Sequence, residues 1–333
     1  MRNWLILLLA ILALFVPLTG GAWAQGSGVI EGQVLNATLD AAPVEGVPVT
    51  LWILKGQEEE GFLEEITDGK GRFRFQGLDT EGYTYQVEVE YQGVHYWSDV
   101  VSFPQGEKLL SVPIDVYEST TSDADLWVER AHLILDFQPG VILVQEVQIF
   151  INSGNKTYVS AMGKEGSTLQ FPLPAGASEV QFMEGLMDCC VAETEEGIAY
   201  KRPLLPGYEE FFYTYELEYQ SAVYTLPKEI AYPISHLDIL VADVGVEVAA
   251  PGLTTQEPLS FQDRRYLHLT GENLTPADGL TLHLGNLPLE VGPTETAMNV
   301  PGVFVKVVMG LGTLGVLLAL GYPFIRRRQG EEG

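Results

Sequence analysis

The residues most able to do chemistry lie together in Met183-Glu184-Gly185-Leu186-Met187-Asp188-Cys189-Cys190. Two thiols and two thioethers are soft ligands of the kind that hold Cu(I), so a copper or redox site can be drawn from Cys189, Cys190, Met183 and Met187. Other readings stand beside it, among them thiols left unpaired or bonded to another molecule. Outside the cytoplasm an adjacent pair can oxidise to a disulfide, or one thiol can be buried as a small apolar group. Geometry weighs against the metal: neighbouring side chains on a strand point to opposite faces, so both sulfurs reach one ion only if the chain turns. The five histidines, 95, 132, 236, 268 and 283, show no metal-ligand spacing. No G-x-S-x-G surrounds a serine, and carboxylates are too plentiful for any pair to stand out as acid and base. No metal, cofactor or catalytic residue is therefore assigned, and the chain reads as a non-enzyme. The other chemistry on offer is aromatic. Tyr96-Trp97 and Phe211-Phe212 place rings on both faces of their strands, which marks these four as a candidate binding surface.

Charge narrows the partners. The chain carries 18 basic and 45 acidic residues, a net charge of −27. Such a surface repels nucleic acid and anionic lipid. The densest run, Glu58-Glu59-Glu60 with Glu64-Glu65, reads as a solvated loop, because no D-x-D-x-D-G calcium loop contains it.

Both ends are apolar. Residues 1–24 read as a secretory signal: Arg2, an apolar run from Trp4 to Leu18, and Ala22-Trp23-Ala24 as the cleavage site. Residues 303–325 read as a membrane span. The stretch between Lys306 and Arg326 holds 19 residues, about 28 Å of helix at 1.5 Å per residue, close to the hydrocarbon thickness. Arg326-Arg327-Arg328 follows, as the positive-inside rule asks of a cytoplasmic stub, 326–333. Gly310-Leu311-Gly312-Thr313-Leu314-Gly315 matches G-x-G-x-x-G but lies inside this span and follows no strand, so it is no dinucleotide site. Residues 291–302, with two prolines and two glycines, suit a stalk. The expected topology is single-pass type I, with the bulk of the chain outside the cell membrane.

Between the ends the pattern is that of strands. Tyr83, Tyr85, Val87, Val89 and Tyr91 alternate with Thr84, Gln86, Glu88 and Glu90, and Gln92-Gly93 then offers a tight hairpin. Val49, Leu51 and Ile53 alternate, and Asp68-Gly69-Lys70-Gly71 is a turn before Phe73 and Phe75. Residues 28–117 thus form a first β-sandwich, and 118–124 form a polar linker. Residues 125–290 form a second β region, either one large Ig-like sandwich or two small ones divided near 224–228. The fold class is all-β.

The first sandwich carries a resemblance. Val29-Ile30-Glu31-Gly32-Gln33-Val34, Pro43-Val44-Glu45-Gly46-Val47-Pro48-Val49-Thr50-Leu51 and Thr67-Asp68-Gly69-Lys70-Gly71-Arg72-Phe73-Arg74-Phe75-Gln76-Gly77-Leu78 resemble, in that order, a carboxypeptidase regulatory-like domain. That family has the transthyretin-like, prealbumin-like sandwich and no catalytic residue of its own. The resemblance implies support, spacing or protein contact rather than hydrolysis. The second region, with Phe171-Pro172-Leu173-Pro174-Ala175-Gly176-Ala177 and Leu205-Pro206-Gly207, loosely resembles extracytoplasmic parts of bacterial envelope proteins, some tied to cytochrome c maturation or surface machinery.

The expected function is binding and assembly at the cell surface. The partners are another envelope or membrane protein or a surface polysaccharide, and the alternatives are metal or redox handling by Cys189 and Cys190 and a carbohydrate-binding module.

Overall fold

The computed structural model describes residues 26–161, 166–182, 190–261 and 264–289. The expected signal, stalk, span and stub lie outside the described residues, as do Met183, Met187 and Cys189. Among the described residues no helix is long and apolar enough to cross a membrane. The described residues are all-β apart from one 3-10 turn at Ala37–Leu39. The chain divides into two compact units between Ser119 and Thr120.

In the first unit the strands are β1 (Gly28–Asn36), β2 (Ala42–Pro43), β3 (Pro48–Lys55), β4 (Glu58–Ile66), β5 (Arg72–Leu78), β6 (Thr84–Tyr91), β7 (Val94–Trp97), β8 (Leu109–Ser111) and β9 (Ile114–Val116). One sheet is built around β1, antiparallel to β2 and β5 and parallel to β8 and β9; the other runs β4-β3-β6-β7. Alternation decides what is buried. Tyr85, Val87 and Val89 of β6, Val49 and Leu51 of β3, Ile30 and Val34 of β1, and Phe73 and Phe75 of β5 form the filling between the sheets. Asn36 Nδ2 donates to the Tyr91 hydroxyl at 3.1 Å, tying β1 to β6.

The Thr67–Gly71 motif is architectural. The buried Thr67 hydroxyl donates to Val44 O at 2.7 Å and accepts from Val47 N at 3.0 Å. Asp68 Oδ1 accepts from Lys70 N and Arg72 N, at 2.8 and 2.9 Å, and those backbone donors hold its carboxyl below the usual range. Gly71 has φ +73°, and a Cβ there would stand 2.5 Å from Val34 O.

The acidic run expected as a loop is a strand. β4 pairs with β3 from Pro48↔Ile66 to Lys55↔Glu58, one edge free. Exposed on both sides, it tolerates glutamates, and the charges block pairing with a second chain.

A two-residue strand, β10 (Ser119–Thr120), stands at the division. The second unit continues with β11 (Leu126–Gln138), β12 (Val141–Asn152), β13 (Thr157–Tyr158), β14 (Leu169–Pro172), β15 (Ala177–Phe182), β16 (Val191–Thr194), β17 (Gly197–Tyr200), β18 (Gly207–Glu218), β19 (Tyr224–Lys228), β20 (Ile234–Ala242), β21 (Glu247–Ala249), β22 (Thr254–Phe261), β23 (Arg264–Leu274) and β24 (Leu280–Gly285). Its main sheet has seven strands in the order β15-β18-β12-β11-β20-β23-β22, antiparallel except for the central β11–β20 pair. Two three-stranded sheets, β14-β17-β16 and β19-β24-β21, cover one face. The segment 224–228, offered by the sequence as a break, is β19, paired over its whole length with β24. Phe150 packs edge-on to Phe171 and Phe211, with centroids at 5.7 and 5.4 Å, joining the large sheet to its cover.

Candidate functional site

The outer face of the β4-β3-β6-β7 sheet is where large side chains meet solvent in an organised way. Because Val49 and Leu51 point inward, period two turns Thr50 and Trp52 outward. Register then sets the neighbours. One row reads Phe62, Trp52, Gln86 across β4, β3 and β6; the next reads Glu64, Thr50, Glu88, Trp97 across all four strands. The Trp52 ring lies 5.5 Å from Phe62 and 6.3 Å from Trp97, the latter pair near parallel at 29°. Phe62 is 53% exposed and Trp97 44%.

Glu88 organises this face. Trp52 Nε1 donates to its Oε2 at 2.6 Å, and His95 Nδ1 lies 2.6 Å from its Oε1. The carboxylate fixes the indole while remaining a negative charge beside the rings. Glu90 and His95 form the next cross-strand pair along β6 and β7.

Of the four aromatic residues marked from sequence, only Trp97 belongs to this face. Tyr96 is in the core, its hydroxyl donating to Tyr117 O at 2.8 Å. Phe211 is buried against Phe150, Phe171 and Tyr200. Phe212 is half-buried on the opposite face of the seven-stranded sheet. Tyr96 and Phe211, marked with Trp97 and Phe212 as candidate binding residues, are thus corrected to core positions: the pleat turns one residue of each adjacent pair inward. Trp52 and Phe62 were missed. The sequence carries a signal for Trp52, which sits between inward-pointing Leu51 and Ile53; Phe62 lies in the acidic run that reads as a loop.

Cys190 precedes β16, is disulfide-bonded, and its carbonyl accepts from Lys201 N at 2.9 Å.

Two buried polar clusters occupy the second unit. On the core side, Glu146 accepts from the hydroxyls of Tyr213 and Tyr215, both at 2.8 Å, and from Lys228 Nζ at 2.7 and 2.9 Å. Burial, then the Glu146 charge, pushes both phenols well above their ordinary range. A neighbouring cavity of about 20 Å³, lined in part by Glu146, Gln148 and Lys228, has room for about one water. It admits no organic substrate.

On the other face of the same sheet, Asp238 Oδ1 lies 2.8 Å from His268 Nε2, and its Oδ2 lies 3.4 Å from Arg130 and 3.6 Å from His132 Nδ1. His132 is 3% exposed and its Nδ1 has no hydrogen-bond partner. Burial brings its pKa down to about 4, with Asp238 opposing and Arg130 and His268 assisting. Among the described residues no group of three or more His, Cys, Asp or Glu is arranged to hold a metal ion.

No protein-family description and no curated protein matches the sequence. Among solved structures the chain is similar to three very different proteins. One is the plantain pollen allergen Pla l 1, at 16% identity over 27% of this chain and 92% of the allergen, with a TM-score of 0.19. Another is a two-domain M1 zinc metallopeptidase bound to L-arginine, at 15% identity over 48% of this chain and a TM-score of 0.28; the chain spans only 42% of that enzyme. The third is the major pilin SpaD of Corynebacterium diphtheriae, at 13% identity over 81% of this chain and 85% of the pilin, with a TM-score of 0.22. Scores this low do not equate folds, and the β-sandwich description rests on the sheets themselves.

Proposed function

We propose that the protein is a membrane-anchored extracytoplasmic binding and assembly protein, acting by contact rather than turnover. The first sandwich is its contact domain, meeting another envelope protein. The observation that carries this reading is the Trp52–Phe62–Trp97 cluster: three large rings held on an outward sheet face that a soluble sandwich would ordinarily cover with polar side chains. The carboxypeptidase regulatory-like resemblance supports the same role, because its signature residues serve the fold: Thr67 and Asp68 clamp a turn, and Phe73 and Phe75 fill the core. The apolar segment 303–325 followed by three arginines supports the anchor, and the apolar run with Ala22-Trp23-Ala24 supports export.

The test has two parts. Protease added to intact cells should remove residues 28–290 and leave a membrane-protected C-terminal fragment; full protection would refute the topology. A photoreactive amino acid at Ile66, which is 68% exposed at the end of β4, should yield a discrete protein adduct in native membranes. Trp97→Ala should abolish that adduct. An adduct pattern indifferent to Trp97→Ala, or no adduct at all, would refute the contact role of this face.

A further inference from the structure

Resting on that reading, we infer the chemistry of the partner: the aromatic face binds a basic segment of a protein, with an arginine or lysine side chain laid over Trp52 and Trp97 beside Glu64 and Glu88.

Charge complementarity carries the argument. The four strands of this sheet hold seven glutamates, five on β4 and two on β6, against a single lysine, Lys55. The rings are of the kind a cation favours most, with indoles ahead of phenyl. Their spacing suits a flat cation. The two indole centroids lie 6.3 Å apart at 29°, so one cation can come within the roughly 6 Å reach of both rings. A guanidinium over them would have Glu64 to one side, exposed in the same cross-strand row as Glu88. Glu88 is spoken for by Trp52 and His95, so its part is to fix the indole and supply field, while Glu64 is open to pair. The fold already uses this contact within itself: Lys55 Nζ stands 5.6 Å over the Tyr83 ring. Among the described residues no cation of the chain stands over Trp52, Phe62 or Trp97. A neutral glycan could stack on the same rings but would gain nothing from the net charge, and an anionic one would be repelled.

The experiment uses the full-length protein in detergent and an acetylated, amidated peptide of alternating arginine and glycine as probe. Its citrulline counterpart, equal in shape but uncharged, and a neutral hexasaccharide are the comparisons. Calorimetric titration should show binding of the arginine peptide alone. Trp97→Ala, which leaves the charge unchanged, should weaken it about tenfold, in line with the range for cation–π contacts, and Glu64→Gln should weaken it severalfold. Circular dichroism should show both variants folded. Equal arginine-peptide affinity in Trp97→Ala and wild type would reduce the effect to bulk charge and overturn the inference. Hexasaccharide binding lost in Trp97→Ala, without arginine-peptide binding, would also overturn it and assign the face to glycans. In either case the Ile66 adduct in native membranes decides separately whether the face contacts a protein at all.

Discussion

His132 gives the second unit a built-in sensitivity to acid. Its imidazole is buried, and its folded pKa of about 4 lies below the ordinary 6.5. As pH falls below 6.5 the unfolded chain takes up a proton at this position, but the folded chain does not until about pH 4. Stability contributed by the neutral ring is therefore complete above about pH 6.5, declines as pH falls and levels off below about 4. The difference of 2.5 pH units, at 1.36 kcal/mol each, sets the loss at about 3 kcal/mol. In a unit of this size that is about 6–12 °C of Tm. The groups facing His132 are Arg130 on its own strand, Asp238 on β20 and His268 on β23. His132→Leu removes the titrating group and keeps an apolar side chain in the space. Urea unfolding of both proteins between pH 7 and pH 4 is the assay, with the wild-type-minus-variant free energy plotted against pH. That difference should fall by about 3 kcal/mol across the window. A difference constant within about 1 kcal/mol would refute the reasoning, because the ring would then titrate alike in folded and unfolded chains.

Further outcomes follow from other contacts. Lys228→Met leaves Glu146 buried without its counter-charge and should cost about 3–5 kcal/mol, read as a lowered urea midpoint. Adding Glu146→Leu to it should recover only part of that loss: no buried charge then remains, but the Tyr213 and Tyr215 hydroxyls lose their acceptor. Thr67→Val keeps the volume but deprives Val47 N and Val44 O of their partner, and should destabilise the first unit by about 1–3 kcal/mol. Gly32→Ala places a methyl group 2.0 Å from Val112 O and 2.4 Å from the Phe73 ring; thermal unfolding should show a loss of roughly 1–3 kcal/mol or more.

Much of the first sandwich was legible in the sequence because its strands obey period two. The alternation of Tyr85, Val87 and Val89 with Gln86, Glu88 and Glu90 appears in β6 as buried against outward positions. Gln92-Gly93 makes the hairpin, at φ +51° and +78°. The acidic strand was not legible, because an edge strand exposed on both faces has no apolar periodicity to reveal it. The candidate site shared that obscurity. Trp97 stood out by type, but which residues share its face depends on the registers β4–β3, β3–β6 and β6–β7. The β3–β6 register pairs residues 30 to 40 apart in the chain, which leaves no local signal, and it sets Trp52 beside the β6–β7 hairpin. The polar clusters were hidden for a related reason. His132, Asp238 and His268 meet through strands joined late in the sequence, and nothing near any one of them hints at the others.

The parallel pairing of β11 with β20 has a consequence for how the second unit comes into being. β12 can join β11 early, but β11 keeps its other side unpaired until about a hundred further residues have been made, a separation of the kind associated with slow folding. During that interval the nascent sheet exposes Leu133, Ile134 and Leu135 on an open edge in the middle of the future core, a template for intermolecular strand addition. Truncations that end before Ile234 should therefore aggregate rather than form a smaller sandwich, and a holdase that shields β11 would raise the yield of the complete chain.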